Sequence, residues 1–336
     1  MKAAVLGAGS WGTTFAQVLC DAGTQTVLHS RRPEVAKAIG AEHANPEYLP
    51  GVVLPAGLVG TASVEEALTG ADFVVFGVPA QTLRANLAEW APLMELASPD
   101  ALYVSLLKGI EHGTLLRMSE VITSVLDVPS SQVAVVTGPN LAAEIAARQI
   151  AAAVVACSDL TGAELLQRAC HTSYFRPYTN ADVVGCELGG AVKNVIAIAV
   201  GIAAALGLGD NTKALLITRG LAETARLGSV LGASSQTFAG LAGLGDLVAS
   251  CTSPLARNRA FGENLGRGMS VTAAAAALSQ TAEGVASCAP VLALARKHGV
   301  EMPITEVVAA VINDGLPVPD AAMMLASRTA KPEWYV

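Results

Sequence analysis

Val5-Leu6-Gly7-Ala8-Gly9-Ser10-Trp11-Gly12-Thr13-Thr14-Phe15-Ala16-Gln17-Val18-Leu19 passes from an apolar run, through closely spaced glycines, into a helix-like stretch. Glycine at the start of an element loses backbone entropy on folding, so three of them together imply a need for room. Gly7, Gly9 and Gly12 fit G-x-G-x-x-G. In such a loop the first glycine makes a tight turn, the second lets backbone approach a pyrophosphate, and the third allows close helix–strand contact. The phosphates then rest on the helix N-terminus, where N–H groups and the dipole favour negative charge. The bland reading is an incidental glycine turn. A predicted strand before the loop and a helix after it favour the dinucleotide.

About twenty residues further on, an NAD-preferring loop of this kind carries Asp or Glu for the ribose hydroxyl. Here that position reads Leu28-His29-Ser30-Arg31-Arg32-Pro33, with no acid and two arginines. A carboxylate would repel a 2′-phosphate, whereas a guanidinium can grip it bidentately. The expectation is NADP(H) as preferred cofactor, with NAD(H) possible. The alternative reading makes Arg31 and Arg32 a solvated turn, or stacks one of them on the adenine.

The chain has 336 residues, 52% hydrophobic and 15% charged, which suits two domains with large cores. With aromatics at 4%, Ala, Val and Leu must fill most of that interior. A net charge of −7 argues against nucleic acid and against an anionic membrane surface. The cysteines at 20, 157, 170, 186, 251 and 288 form no CxxC pair, and the five histidines form no HExxH. No metal site is expected, and the thiols read as small buried hydrophobes of a reducing cytosol. MKAAVLGAGSW does not resemble a signal peptide. The apolar stretch Val195 to Gly209 is shorter than the roughly twenty residues of a membrane span. A cytoplasmic protein with a buried core helix, and no stable membrane insertion, is expected.

The first half alternates short apolar runs with helical patterns. Strands are predicted at Lys2–Leu6, Thr26–Ser30, Asp72–Val78, Leu102–Leu106, Val133–Thr137 and Ala152–Ala156. Helices are predicted at Gly12–Ala22, Gln81–Leu93, Thr114–Leu126 and Leu141–Arg148. Near-continuous apolar strands joined by helices describe a buried parallel sheet in an α/β, Rossmann-type doubly wound domain. After Asp182 the alternation stops. Ala191–Leu206, Lys213–Leu231, Ser270–Leu278 and Pro290–His298 carry helical spacing, so an all-α C-terminal domain follows. The expected domains are residues 1–182, binding a dinucleotide, and 183–336, helical and holding substrate.

Several stretches exceed scaffolding. Asn45-Pro46-Glu47-Tyr48-Leu49-Pro50-Gly51 reads as an ordered loop, and Val78-Pro79-Ala80-Gln81 ends a strand where ligands bind. Ser105-Leu106-Leu107-Lys108-Gly109 sets a lysine after a strand, and Gly138-Pro139-Asn140 opens a helix after another. Glu187-Leu188-Gly189-Gly190-Ala191-Val192-Lys193-Asn194 puts a lysine into an apolar helix start, where an isolated charge is expensive unless paired or functional. Later come Gly243-Leu244-Gly245-Asp246, then Ser250 and Ala256-Arg257-Asn258. Singly each has a bland reading: Asp246 could be a helix N-cap and Arg257 a surface salt bridge.

In this order the segments GAGSWGT, NPEYLPG, SLLKGIE, TGPNLAAEIA, AVKNVIAIAVG, GLGDLVASCTS, ARNR and AEG resemble the bacterial NAD(P)-dependent glycerol-3-phosphate dehydrogenases, from Val5 to Gly284. The resemblance implies a Rossmann domain joined to a helical one. It also implies interconversion of dihydroxyacetone phosphate and sn-glycerol 3-phosphate, with reduction supplying glycerophospholipid synthesis. Carried over by position, Ser10, Trp11, Arg31, Ala142 and Glu283 match cofactor contacts, with Arg32 an addition. Lys108 matches a lysine shared by cofactor and substrate, and Lys193 the catalytic lysine. Gly138, Asn140, Asn194, Asp246, Ala256, Arg257 and Asn258 match the substrate group, with Arg257 also near the cofactor.

On this reading Lys193 is the general acid in reduction and the base in oxidation, oriented by Asp246, while Lys108 supports the polarised oxygen. Arg257 and Asn258 would hold the phosphate. The family usually has serine where Asn140 and Ala256 stand, threonine at Ser250 and an aliphatic residue at Thr281. A dehydrogenase of hydroxy acids and a non-catalytic NADP sensor are the rival readings. A homodimer is expected only by analogy.

Overall fold

The computed structural model describes residues 1–278, 283–327, 329 and 332, so Thr281 lies outside the described residues. The chain divides into two compact units, Met1–Lys108 with Arg117–Val183, and Gly109–Leu116 with Val184–Val336.

The first unit holds an eight-stranded sheet: β1 (Lys2–Leu6), β2 (Gln25–His29), β3 (Val59–Thr61), β4 (Phe73–Phe76), β5 (Leu102–Ser105), β6 (Val133–Thr137), β7 (Ala151–Cys157) and β8 (Phe175–Asn180). Its order is β3-β2-β1-β4-β5-β6-β7-β8. The helices here are α1 (Ser10–Asp21), α2 (Pro33–Glu42), α3 (Val64–Leu68), α4 (Leu83–Trp90), α5 (Met118–Leu126), α6 (Ala142–Ala146) and α7 (Leu160–Cys170). Val5 and Leu6, Phe73 to Phe76, Phe15 and Phe175 are fully buried, which is why the strands read as unbroken apolar runs. Strand order reverses between β1 and β4, so the glycine loop after β1 and the Val78-Pro79 turn after β4 lie at the switch point.

The expected parallel sheet needs one correction. β7 pairs antiparallel to β6, and β8 runs parallel to β7. The connection between β6 and β7 runs over residues 138–150 and holds only the five-residue α6, in place of the longer helix that usually makes a parallel crossover. β3 and β8 were not foreseen; β3 is three residues with a central glycine, and β8 carries Pro177 and alternates buried with exposed positions.

The helix predicted from Thr114 begins instead at Met118, where Arg117 N–H donates to Glu120 at 2.8 Å. Gly113 at φ 80° and Leu115 at φ 62° break the preceding segment, and Ile110 packs into the core of the second unit.

The second unit is helical: α8 (Val183–Ala205), α9 (Asp210–Val230), α10 (Ser235–Ala239), α11 (Asp246–Thr252), α12 (Arg257–Gly266), α13 (Val271–Ala276), α14 (Glu283–Lys297), α15 (Pro303–Asn313) and α16 (Val318–Ala326). α8 is its axis, buried on every side as a helix apolar all round must be. It starts eight residues earlier than predicted, because Gly185, Gly189 and Gly190 lie inside it. By length and composition α8 could cross a membrane, yet most of it is buried within the protein. Lys193 therefore lies in mid-helix, not at a helix start.

Candidate active site

The glycines of the first loop are not equivalent. Gly7 has φ +120°, and a Cβ there would stand 2.6 Å from the Gly77 carbonyl oxygen. A Cβ on Gly12 would stand 2.0 Å from the Gly7 oxygen. Packing alone excludes a side chain at both. At Gly9, with φ −74°, the nearest atom to such a Cβ is 4.0 Å away. The protein itself leaves this position open, which is the room a pyrophosphate needs. α1 begins just behind it with no side-chain cap and no acidic residue in its first turn, so its N–H groups suit an anion. The residues present fit a dinucleotide.

The loop 45–51 is fastened to this glycine turn. The Asn45 amide donates to the Ala8 carbonyl and to the Thr13 hydroxyl, both at 2.9 Å, and the Ser10 hydroxyl donates to the Tyr48 carbonyl at 3.1 Å. The end of β2 is fastened too, through Gly7 N–H donating to the His29 carbonyl at 3.2 Å. The two arginines beyond β2 differ. Arg31 is exposed and makes no hydrogen bond or ion pair among the described residues. Arg32 pairs with Glu47 at 2.7 Å and lies over the Tyr48 ring at 5.8 Å.

Further along the sheet, Lys108 donates to the Gly138 carbonyl at 2.9 Å. Gly138 itself has φ +118°. Both polar atoms of the Asn140 side chain, the Thr137 hydroxyl and the Trp11 indole N–H are buried without a hydrogen-bond partner among the described residues. Ala142 opens α6, and its carbonyl accepts from Thr14 of α1 at 3.3 Å.

In the helical unit, Lys193 meets Asp246 at 3.0 Å and donates to the Ser250 hydroxyl at 2.6 Å. Ser250 in turn donates to Asp246 at 3.4 Å. The pair is enclosed, with side-chain exposures of 12% for Lys193 and 2% for Asp246. Local sequence explains the meeting. Gly189 and Lys193 lie one turn apart on the same face of α8. A Cβ on Gly189 would stand 2.4 Å from the Ala242 carbonyl, so α8 presses on backbone there. Residues 241–245 form a single π turn leading into α11, and Asp246 and Ser250 then follow at helical spacing.

Asn194 is buried beside Lys193, and its carbonyl oxygen accepts from the Asn258 amide at 2.9 Å. Asn258 also accepts from Gly284 N–H at 2.9 Å, so it ties α8, α12 and α14 together. Arg257 begins α12 after Ala256, whose side chain provides no cap. Loss of solvent holds the Arg257 guanidinium below its ordinary pKa, while Glu283 acts in the opposite direction.

Residues 2–163 match the family model described as NAD-dependent glycerol-3-phosphate dehydrogenase N-terminus, and residues 182–323 match its C-terminus. A protein from Streptomyces griseus named glycerol-3-phosphate dehydrogenase [NAD(P)+] is 62% identical, over 99% of this chain and 98% of its own. The chain belongs to the NAD-dependent glycerol-3-phosphate dehydrogenase family. A second relative of that name, from Thermobifida fusca, is 61% identical over 99% of each chain. Among solved structures, the glycerol-3-phosphate dehydrogenase of Coxiella burnetii superposes with a TM-score of 0.91 at 38% identity, covering 97% of this chain and 99% of that one.

Within this family chain, three features of the site had not been assigned a role from sequence. Ser250 sits four residues after Asp246, a spacing that places both on one helix face and could have flagged it. Gly189 could have been found one turn before Lys193. The loop holding Asn45 and Tyr48 was legible as ordered, but its partners were not, because they lie about thirty to forty residues away and are mostly backbone atoms.

Proposed function

We propose that this chain reduces dihydroxyacetone phosphate to sn-glycerol 3-phosphate, reversibly, with NADP(H) preferred and NAD(H) accepted. The observation that carries the reading is Lys193, enclosed and held by Asp246 and Ser250. An enclosed ammonium with two fixed partners is oriented toward its remaining donor direction, as a general acid must be. The chemistry that a reduced nicotinamide supplies when bound is hydride for the C2 carbon. Lys193 gives its proton to the C2 oxygen in reduction and takes it back in oxidation. Asp246 and Ser250 keep the amine aimed at that oxygen, and Lys108 stabilises the charge that develops on it.

Gly7, Gly9, Ser10, Trp11 and Gly12 receive the dinucleotide, Arg31 its 2′-phosphate, and Ala142 and Glu283 complete that group. Arg257, with Asn258 and the uncapped start of α12, receives the substrate phosphate, while Gly138, Asn140 and Asn194 orient the triose. Fixing a remote phosphate turns binding energy into orientation of the reacting carbon. The working direction is reduction, supplying phospholipid synthesis in the cytoplasm. The burial of α8 supports a chain without stable membrane insertion, and a homodimer is the assembly expected by analogy.

The test is a spectrophotometric screen of NADPH and NADH oxidation with dihydroxyacetone phosphate against several 2-keto acids. Turnover of the phosphate ketone alone supports the reading. Turnover of a keto acid alone overturns it, as does tight cofactor binding with no turnover of any ketone.

A further inference from the structure

The end of β2, the glycine loop and the loop 45–51 converge on one place. Gly7 N–H holds the His29 carbonyl, while Asn45 and Ser10 tie the second loop to the first. Two cations follow the end of β2, the place from which a loop of this kind reads the ribose, but they are in different states. Arg31 has neither hydrogen bond nor ion pair among the described residues. Arg32 is engaged by Glu47 at 2.7 Å and by the Tyr48 ring. Glu47 is thus an anion held against one of the two guanidiniums. The pairing favours its ionised form, holding its carboxyl below the usual carboxylate range.

We propose that Glu47 tunes the cofactor preference: by neutralising Arg32 and placing a negative charge beside the 2′ position, it restrains binding of the 2′-phosphorylated dinucleotide and narrows its advantage over the unphosphorylated one. This deepens the proposed function and rests on dinucleotide binding by the glycine loop. Arg31 is then the cation that recognises the phosphate, and Arg32 is largely spent on Glu47. The carboxylate does not distinguish the two dinucleotides by shape. It acts only on the charge that one of them carries.

The test is equilibrium binding of NADP⁺ and NAD⁺ to the intact protein by calorimetry, without substrate, in wild type, Glu47→Gln and Glu47→Ala. Glutamine keeps the hydrogen bond to Arg32 and removes the charge. A solvent-exposed carboxylate acts only weakly on a neighbouring phosphate across water, so NADP⁺ should tighten roughly three- to tenfold in Glu47→Gln. NAD⁺ should change by less than about twofold, as expected for a ligand without the 2′ charge. Arg32→Ala added to Glu47→Gln should remove the gain, and raised salt should shrink it. Equal changes for both dinucleotides would show Glu47 to be a loop-positioning residue and overturn the proposal. So would no change for NADP⁺ in either Glu47 variant. If wild type binds neither dinucleotide, the proposed function itself fails, and this inference falls with it.

Discussion

Gly189→Ala tests how the lysine is placed, since the change adds one methyl group and touches no reacting residue. The new Cβ would sit 2.4 Å from the Ala242 carbonyl oxygen and 3.1 Å from its carbon, where ordinary contact begins at 3.4 Å. α8 and the π turn must therefore separate locally by about 1 Å, because backbone offers no flexible end to give way. Asp246 and Ser250 follow that turn directly, so the 3.0 Å and 2.6 Å contacts to Lys193 lengthen with it. Overpacking of this kind costs about 1–3 kcal/mol of stability. A misplacement near 1 Å lowers turnover by about a hundredfold. The assay is steady-state reduction of dihydroxyacetone phosphate beside NADP⁺ binding and thermal unfolding. The expected result is a large fall in kcat, a modest fall in Tm and unchanged NADP⁺ affinity, since the glycine loop belongs to the other unit. Full activity in Gly189→Ala would refute the placement argument, and an equal loss of NADP⁺ binding would show a general collapse instead.

Lys193→Ala should abolish turnover while NADP⁺ titration stays near wild type; retained activity removes Lys193 from proton transfer. Gly9→Ala should weaken NADP⁺ binding with little change in Tm, since nothing in the protein meets its methyl, whereas Gly12→Ala should lower Tm because its methyl strikes the Gly7 carbonyl. Equal Tm losses in the two variants would contradict the assignment of Gly9 to the ligand. Glu223 gives a pH prediction. Burial pushes its carboxyl up from 4.5 to about 7, against the pull of backbone N–H donors at Ile304 and Thr305. A raised acid stabilises the fold below pH 4.5 and loses that contribution as pH rises through about 7, on the order of 3 kcal/mol in all. The Tm of wild type minus that of Glu223→Gln should accordingly fall between pH 4.5 and pH 8, and a flat difference would refute it.

Local chemistry written in short segments was legible, and closure between distant segments was not. The glycine loop could be read because strand, turn and helix are contiguous, each with its own periodicity. The reversal of β7 could not, because strand direction is fixed by pairing with a distant segment and not by the strand's own residues. The start of α8 was hidden for a related reason. Gly185, Gly189 and Gly190 look like breakers in a single chain, yet Gly189 is where another backbone comes within contact distance. A glycine that interrupts a helix and a glycine that seats one leave the same letter in a sequence, and only the approaching carbonyl distinguishes them. Arg31 and Arg32 pose the same problem with charge. They are adjacent and identical in type, and Glu47, fifteen residues beyond Arg32, pairs with the second and not with the first. The identities of the polar groups were therefore readable one by one. Their division between holding the fold and meeting the ligand is a property of the closed structure, because the Asn258 oxygen that accepts from Gly284 and the Ser10 hydroxyl that donates to Tyr48 are no longer wholly at the ligand's disposal.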